Sequence, residues 1–503
     1  MTKGSVAIVG GGIGGLSAAR YLRSQGFTPT VFESHSDIGG QWNTANPHSG
    51  VWPTMRTNTA SFATKLSDVQ YPDGVKIFPF NHQVLAMVKD MVERNGLASD
   101  IRCNCDVTRL ARAVDGYEVT WVEDGATQSK VFDRAVVATG RFVKPEIPEI
   151  EGLETFTGAG GVTHSHRYKE PLKYRDMNIV VLGGSISSME VASDQSLMGV
   201  GRVYLSQRRQ RYVMPKMLAG VPLEYYVFTV EGATALDHLS KEEALAGAQE
   251  FLEVFGGNPA RYGAPPPHVD MAKAGVTGSQ HFLNLVAEDR IDVRPWVENI
   301  SGDQVTFADG STVQADAIIV GTGFDLHLPF LSEEIARTIN LTKSSLELME
   351  FTFHSDLPGL AFIGLWSQLG PYPVVLEQQA RWVAYSWGGE VPGPTIEEMR
   401  LGVRDSVIQG HHREYRQQHE MAVRFARLAG VMPDAGDDRE LAVILEKSPA
   451  MGETFRVSGP DADPRAAERI KRLFWFYAPI PLKRELCAEL GLDLDGVQAV
   501  AAE

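Results

Sequence analysis

Cysteine is scarce in this chain, with Cys103, Cys105 and Cys487 the only three thiols in 503 residues. That number excludes a disulfide framework and points to a reducing, cytoplasmic setting. Cys103 and Cys105 stand one residue apart on an expected strand, and no second ligand pair matches them, so no metal site is expected. Long apolar runs are missing too: nothing approaches the roughly 18 residues a spanning helix needs. No leader of the secretory kind is expected, because the first apolar strand follows the N-terminus almost at once. Basic residues are in deficit, 47 against 63 acidic ones, and the formal charge of −16 argues against a nucleic-acid or anionic-membrane surface. Neither a Ser-His-Asp set nor a carboxylate pair occurs at a convincing spacing. The remaining composition, 43% hydrophobic and 22% charged, is that of a soluble globular enzyme long enough for two or three domains.

What the chain does have is two glycine-rich loops, each between an apolar run and a small-residue helix. The first, Gly10-Gly11-Gly12-Ile13-Gly14-Gly15, follows Val6-Ala7-Ile8-Val9. Gly10, Gly12 and Gly15 occupy the G-x-G-x-x-G positions, which serve the tight turn, the approach of a pyrophosphate and the packing of helix on strand. A second strand, Thr30-Val31-Phe32, ends in Glu33, the acid that accepts hydrogen bonds from a ribose. The second loop, Gly183-Gly184-Ser185-Ile186-Ser187-Ser188, follows Ile179-Val180-Val181-Leu182. Ser185 and Ser188 replace the second and third glycines, and small hydroxyls still admit a phosphate and can donate to it. The next strand, Val203 to Ser206, ends without an acid, and Gln207-Arg208-Arg209 follows. Guanidinium groups at that place suit a 2′-phosphate, so NADPH is expected in preference to NADH. Two such sites in one chain imply electron transfer between two bound dinucleotides.

The halves repeat one grammar. Tyr117, Val119 and Trp121 alternate toward an Asp124-Gly125 turn, and Ala135-Val136-Val137-Ala138 then ends in Thr139-Gly140. Later, Val305 and Phe307 lead to Asp309-Gly310, and Ala317-Ile318-Ile319-Val320 ends in Gly321-Thr322-Gly323. The segment Phe142 to Pro148 reads as a proline-stiffened crossing between two domains. The expectation is an α/β protein of two nested Rossmann-like domains with a helical C-terminal extension. One dinucleotide domain is discontinuous over 1–165 and 290–390, the other is inserted at 166–289, and helices fill 391–503.

From Val6 to Trp382 the residues resemble the flavin-containing monooxygenases, within the class B flavoprotein monooxygenases. Gly39-Gly40-Gln41-Trp42 resembles the family's flavin contact, and Met55-Arg56-Thr57-Asn58-Thr59 resembles the segment passing the isoalloxazine. Ala138-Thr139-Gly140 with Pro145 and Pro148 is similar to its linker, and Gly364-Leu365 with Glu377-Gln378-Gln379-Ala380-Arg381-Trp382 to its closing flavin-domain segment. The fingerprint Phe-x-Gly-x-x-x-His-x-x-x-Tyr/Phe is present with two extra residues between Gly158 and His164; the His164-to-Tyr168 spacing is kept, and Gly160 restores the local Gly-to-His spacing. Tyr168 stands where Baeyer–Villiger enzymes carry tryptophan.

The resemblance implies FAD and NADPH as cofactors, and dioxygen with a small amine or sulfide as substrates. It implies oxygen transfer through a C4a-hydroperoxyflavin, with Asn58 as the catalytic side chain. It assigns cofactor contacts to Gly10, Gly12, Gly14, Gly15, Glu33, Gly40, Gln41, Trp42, Arg56, Thr57, Asn58, Thr139, Gly140, His164, Gly323 and Gln378 on the flavin side. On the NADPH side these are Gly183, Ser185, Ser187, Ser188, Arg208 and Arg209. A Baeyer–Villiger enzyme acting on ketones and an NADPH oxidase or flavin reductase are the alternatives; a Cys-x-x-Cys that would mark a disulfide reductase is missing. The segment from Tyr212 to Gln280 is expected to control substrate access.

Toward the C-terminus, Thr395 to Arg427 reads as helix. His411, His412, Tyr415 and His419 lie on it beside Arg413, Arg416 and Gln417, which suggest a solvated face. Ile470, Leu473, Phe474 and Tyr477 form an apolar stripe that suits core packing or the contact of a homodimer.

Overall fold

A computed structural model describes residues 2–235, 237–255, 257–408 and 416–494. His411, His412, Arg413 and Tyr415 lie outside the described residues.

Two five-stranded parallel sheets form the frame. In the first, Ser5–Val9 is central, with Thr28–Phe32 and Ile101–Arg102 on one side and Arg134–Val137 and Leu360–Phe362 on the other. Val6, Ala7 and Ile8 are fully buried, as a central parallel strand covered on both faces requires. Gly10 turns the chain at φ +110°, a conformation open to glycine, and the Ile13–Ser24 helix follows. In the second sheet, Asn178–Leu182 is central, flanked by Arg202–Ser206 and Ile291–Arg294 on one side and Ala317–Val320 and Gly161–His164 on the other. Gly183 turns at φ +119°, and the Ile186–Met198 helix follows. Each sheet carries an antiparallel meander, Cys105–Ala113, Gly116–Glu123 and Ala126–Phe132 on the first and Val297–Ser301, Gln304–Phe307 and Thr312–Gln314 on the second. Phe32 packs between Trp121 and Phe132, at centroid distances of 4.9 and 5.9 Å.

The expected domain boundaries need correction. Gly161–His164 pairs with Ala317–Val320, and Ile291–Arg294 pairs with Arg202–Ser206, so residues 161–320 build the second sheet and its meander. The chain returns to the first sheet only at Leu360–Phe362. Periodicity identifies a strand but not its neighbour, and it is backbone pairing that allots these strands. The two crossings between sheets are themselves paired, Lys144–Pro145 antiparallel to Phe324–Asp325. Cys103 and Cys105 do not share a strand: Asn104, at φ 54°, turns the chain between them, and all three cysteines are free thiols.

The C-terminal helices are wound into the body. Gln418–Leu428 packs against both the Tyr372–Gly388 helix and the Val230–Ala235 helix. Lys65 pairs with Glu453, and Arg381 with Asp461. The expected solvated face does not hold for Arg416, Gln417 and His419: Arg416 is buried and Gln417 half-buried on a short strand paired with Gln368–Leu369, His419 is buried at the start of the helix, and all three line a cavity. In the terminal stripe Ile470, Phe474 and Trp475 are buried against Ala60, Phe62 and Tyr225, so the stripe is core packing and supplies no argument for a homodimer. Among the described residues no helix is long and apolar enough to cross a membrane.

Candidate active site

Both glycine loops open onto one continuous cavity of about 1920 Å³. Pockets for single ligands run to about 300–1,000 Å³, so this volume accommodates two. The helices behind the loops reach it with free N-termini: neither Gly12 nor Ser185 provides a side-chain cap, and neither first turn carries an acid. The orphan N–H groups and the helix dipole together make each terminus an anion seat.

At the first loop Glu33 is buried, and its Oε2 accepts from the Gly11 N–H at 2.9 Å while Oε1 accepts from the His35 N–H at 2.9 Å. The carboxylate keeps lone pairs for a ribose and lines the cavity. A Cβ at Gly15 would overlap the Gly10 carbonyl oxygen, whereas one at Gly12 would meet only the Gly40 Cα at 3.7 Å. Gly15 therefore serves helix packing and does not line the cavity; Gly12 and Gly14 do. In the second loop Gln207 takes the place of Glu33: a Cβ at Gly184 would stand 2.5 Å from Gln207 Oε1, and the Gln207 amide nitrogen donates to Gln210. Composition offered no sign of that glutamine's structural part. Ser185 and Ser187 line the cavity. Ser188 does not: it is buried, and its hydroxyl donates to the Gly321 carbonyl at 2.9 Å, so its expected donation to a phosphate is replaced by a tie between helix and strand. Arg208 and Arg209 line the cavity; the Arg208 guanidinium lies 4.6 Å from the Trp296 ring centre, and Arg209 donates to the Lys273 carbonyl at 2.9 Å.

Between the loops, Gly40, Trp42, Thr57, Asn58, Thr139, Gly140 and Gly323 line the cavity. Gln41 does too, but its amide is already engaged with the carbonyls of His48 and Phe142 and with the Gly50 N–H. The Asn58 Oδ1 and the Thr139 Oγ1 are buried without a partner. Unpaired buried polar atoms are costly, and two of them on residues in the wall of a nucleotide-sized cavity fit a polar ligand that draws them out.

Three expected contacts are displaced. Arg56 is exposed, its guanidinium stacked 3.5 Å from the Phe80 ring centre. Gln378 is buried within helix packing, its Oε1 accepting from Arg381 at 2.9 Å. His164 lies behind the wall: its Nδ1 accepts from the His166 N–H at 3.1 Å, its ring meets Phe324 edge-on, and burial lowers its pKa to about 4. His166 has the structural role of holding the His48 carbonyl at 3.1 Å.

The cavity also has an arm that sequence reasoning placed only as a long segment. Tyr226, Phe228, Leu239, Leu245 and Phe251 line it, with His419 and Arg424 from the C-terminal helix. Burial lowers the His419 pKa to about 4. No motif marks these residues, since long-range packing brings them together.

The sequence profile of the flavin-binding monooxygenase-like family matches residues 3–432. The chain belongs to that family. It is an FAD- and NADPH-dependent monooxygenase. The protein named dimethylaniline monooxygenase [N-oxide-forming] 2 from Rattus norvegicus is 26% identical to it over 482 residues, covering 90% of this chain and 89% of the relative. Among solved structures, the S-allyl-L-cysteine S-oxygenase of Allium sativum is 22% identical, with a TM-score of 0.63 and coverage of 85% of this chain and 88% of its own. An open structure of cyclohexanone monooxygenase is 16% identical, with a TM-score of 0.64 and coverage of 86% and 98%. The two structures speak for the shared fold of the monooxygenase.

Proposed function

We propose that the monooxygenase inserts one oxygen atom of dioxygen into a nucleophilic nitrogen or sulfur of a small molecule. The observation that carries this reading is the single cavity onto which both nucleotide loops open, with Asn58 in its wall. When bound, FAD reduced by NADPH supplies the activation of dioxygen. The chain's own residues bind and orient. Gly10, Gly12 and Gly14, with the first helix N-terminus, would hold the FAD pyrophosphate, and Glu33 its ribose. Gly183, Ser185 and Ser187 would hold the NADPH pyrophosphate, and Arg208 and Arg209 its 2′-phosphate. Asn58, Thr139 and Gly140 would face the reacting centre.

Attack by an amine or a sulfide needs no protein acid or base. Its part is to exclude water and to aim a few hydrogen bonds. The family relative that forms N-oxides and the neighbour named as an S-oxygenase support the choice of nitrogen and sulfur. Ketone oxygenation is the second reading, favoured by the fold match to cyclohexanone monooxygenase. Free thiols and the lack of a spanning helix among the described residues support a cytoplasmic setting. The test supplies the loaded enzyme with N,N-dimethylaniline, methyl phenyl sulfide and cyclohexanone, and measures NADPH use, oxygenated product and hydrogen peroxide together. N-oxide or sulfoxide should match NADPH consumed. Lactone from cyclohexanone alone would install the second reading, and peroxide alone would make the protein an NADPH oxidase.

A further inference from the structure

Asn58 sits in the middle of a short strap, Thr54 to Ala60, that belongs by sequence to the first domain. From its own side the strap is held by backbone, the Thr57 N–H donating to the Pro79 carbonyl at 2.9 Å, and by the Asn81 amide donating to the Met55 carbonyl at 3.2 Å. The Thr59 hydroxyl also meets the Thr64 hydroxyl at 2.6 Å, and the Ala60 carbonyl accepts from the Thr64 N–H at 2.9 Å. Three further ties come from the inserted domain. At one end the Thr54 hydroxyl donates to Asp194, 3.2 and 3.1 Å from the two carboxylate oxygens, and the Tyr168 hydroxyl donates to the same carboxylate at 2.9 Å. In the middle the Lys216 Nζ donates to the Thr57 carbonyl at 3.4 Å and pairs with Glu190 at 3.3 Å. At the far end the Ala60 N–H donates to Glu224 Oε1 at 2.7 Å. Glu224 is 2% exposed, and its other oxygen has no partner. A buried carboxyl side chain is expensive to retain, and its one hydrogen bond goes to the strap. Asp194 lies on the Ile186–Met198 helix, whose N-terminus is the second nucleotide loop, and Leu223, beside Glu224, lines the cavity.

We infer that Glu224, with Asp194 and Lys216, forms a clamp of positioning residues through which the NADPH-side domain sets the place of Asn58. The inference rests on the reading that Asn58 faces the reacting centre. The strap is then a part of the first domain that the second domain helps to place. A misplacement of about 1 Å at a reacting centre costs on the order of 10²-fold. Breaking the clamp should therefore damage oxygen transfer and leave hydride transfer alone.

The test uses full-length, FAD-loaded protein with methyl phenyl sulfide as the probe substrate. Flavin reduction by NADPH is followed in anaerobic stopped flow, and sulfoxide and hydrogen peroxide are measured per NADPH in steady state. The variants are Glu224→Ala, Glu224→Gln, Thr54→Val and, as a benchmark, Asn58→Ala. Glu224→Ala and Thr54→Val should reduce flavin within about 2-fold of the parent, yet lose sulfoxide about 10-fold with peroxide rising in its place. Glu224→Gln keeps an acceptor for the Ala60 N–H and should restore most of the coupling. Parental coupling in Glu224→Ala and Thr54→Val alongside an uncoupled Asn58→Ala overturns the clamp and spares Asn58. Full coupling in Asn58→Ala overturns the reading beneath it. Failure of Glu224→Gln to restore coupling, or a matching fall in flavin reduction, also overturns the clamp. Should Glu224→Ala lose its flavin, Thr54→Val decides between the same outcomes.

Discussion

Replacing Gly12 with alanine should empty the flavin site of an otherwise sound protein, whereas replacing Gly15 should damage the protein first. Gly12 has φ −83° and ψ −176°, extended backbone that alanine adopts freely, and its new Cβ would be in ordinary contact with the Gly40 Cα at 3.7 Å. Apoprotein stability should then change by about 0.5 kcal/mol or less. The added methyl stands where the pyrophosphate must meet the helix N-terminus. Losing two hydrogen bonds to a charged group, at about 1.5–3 kcal/mol each, would weaken FAD binding by about 3–6 kcal/mol. At about 1.4 kcal/mol per decade this is a rise in Kd of roughly 10²- to 10⁴-fold. At Gly15 the Cβ would overlap the Gly10 carbonyl oxygen and approach Ile8 Cγ2 to 3.3 Å, forcing the helix off the strand. Overpacking of this kind costs about 1–3 kcal/mol or more. FAD titration of each apoprotein by fluorescence quenching and thermal unfolding of the same apoproteins separate the two effects. A parental FAD Kd in Gly12→Ala would refute the assignment of the first loop to the flavin pyrophosphate. A Gly15→Ala apoprotein as stable as the parent would refute the packing argument.

Alanine at both Arg208 and Arg209 should raise KM for NADPH by about 10-fold or more, on the loss of charge-assisted contacts to a 2′-phosphate, with little change for NADH; equal effects on both would remove the assignment. Asn58→Ala should keep FAD and flavin reduction but replace product with hydrogen peroxide, a change of about 10²-fold in oxygenation rate if its amide is aimed at the reacting centre; coupled turnover would make Asn58 a turn residue. Burial holds His164 and His419 neutral, with pKa values near 4 against about 6.5 unfolded, so between those values the unfolded chain binds protons that the native chain does not. The stability they support is complete above pH 6.5 and is lost as pH falls toward 4, by roughly 3 kcal/mol per histidine at most. His419→Leu should flatten part of that decline in denaturant titrations across this range, and an unchanged profile would sink the argument.

The parts legible in the sequence were those that local chemistry dictates. The two turns at Gly10 and Gly183, the helices behind them and the Asp124-Gly125 hairpin, with φ of 50° and 77°, follow from residue types within a few positions. Partner choice was not legible. Ile291–Arg294 reads as a strand from its apolar alternation, but nothing local says that it lies beside Arg202–Ser206. The same holds for side chains. Ser188 stands at a phosphate-loop position, and its hydroxyl goes to Gly321 because the strand carrying Gly321 sits under that turn. Arg416 and His419 look like solvent-facing residues until the Arg416–Gln417 strand pairs with Gln368–Leu369 and the Gln418–Leu428 helix packs beside the cavity. Glu224 has no motif around it, and its meaning comes from the Ala60 N–H at the end of a strap more than a hundred residues away.

The paired crossings have a consequence for how the molecule can be taken apart. Residues 161–320, with the second sheet, leave the first at Lys144–Pro145 and return at Phe324–Asp325, and these two pieces are neighbours on one short ladder. The ends of the inserted piece therefore emerge side by side, which is the geometry of a cassette. A graft of this stretch from a relative with another nicotinamide preference would close at that ladder with a short splice, and would have to carry over the contacts that Asp194, Lys216 and Glu224 make to the strap and that Val230–Ala235 makes to the Gln418–Leu428 helix.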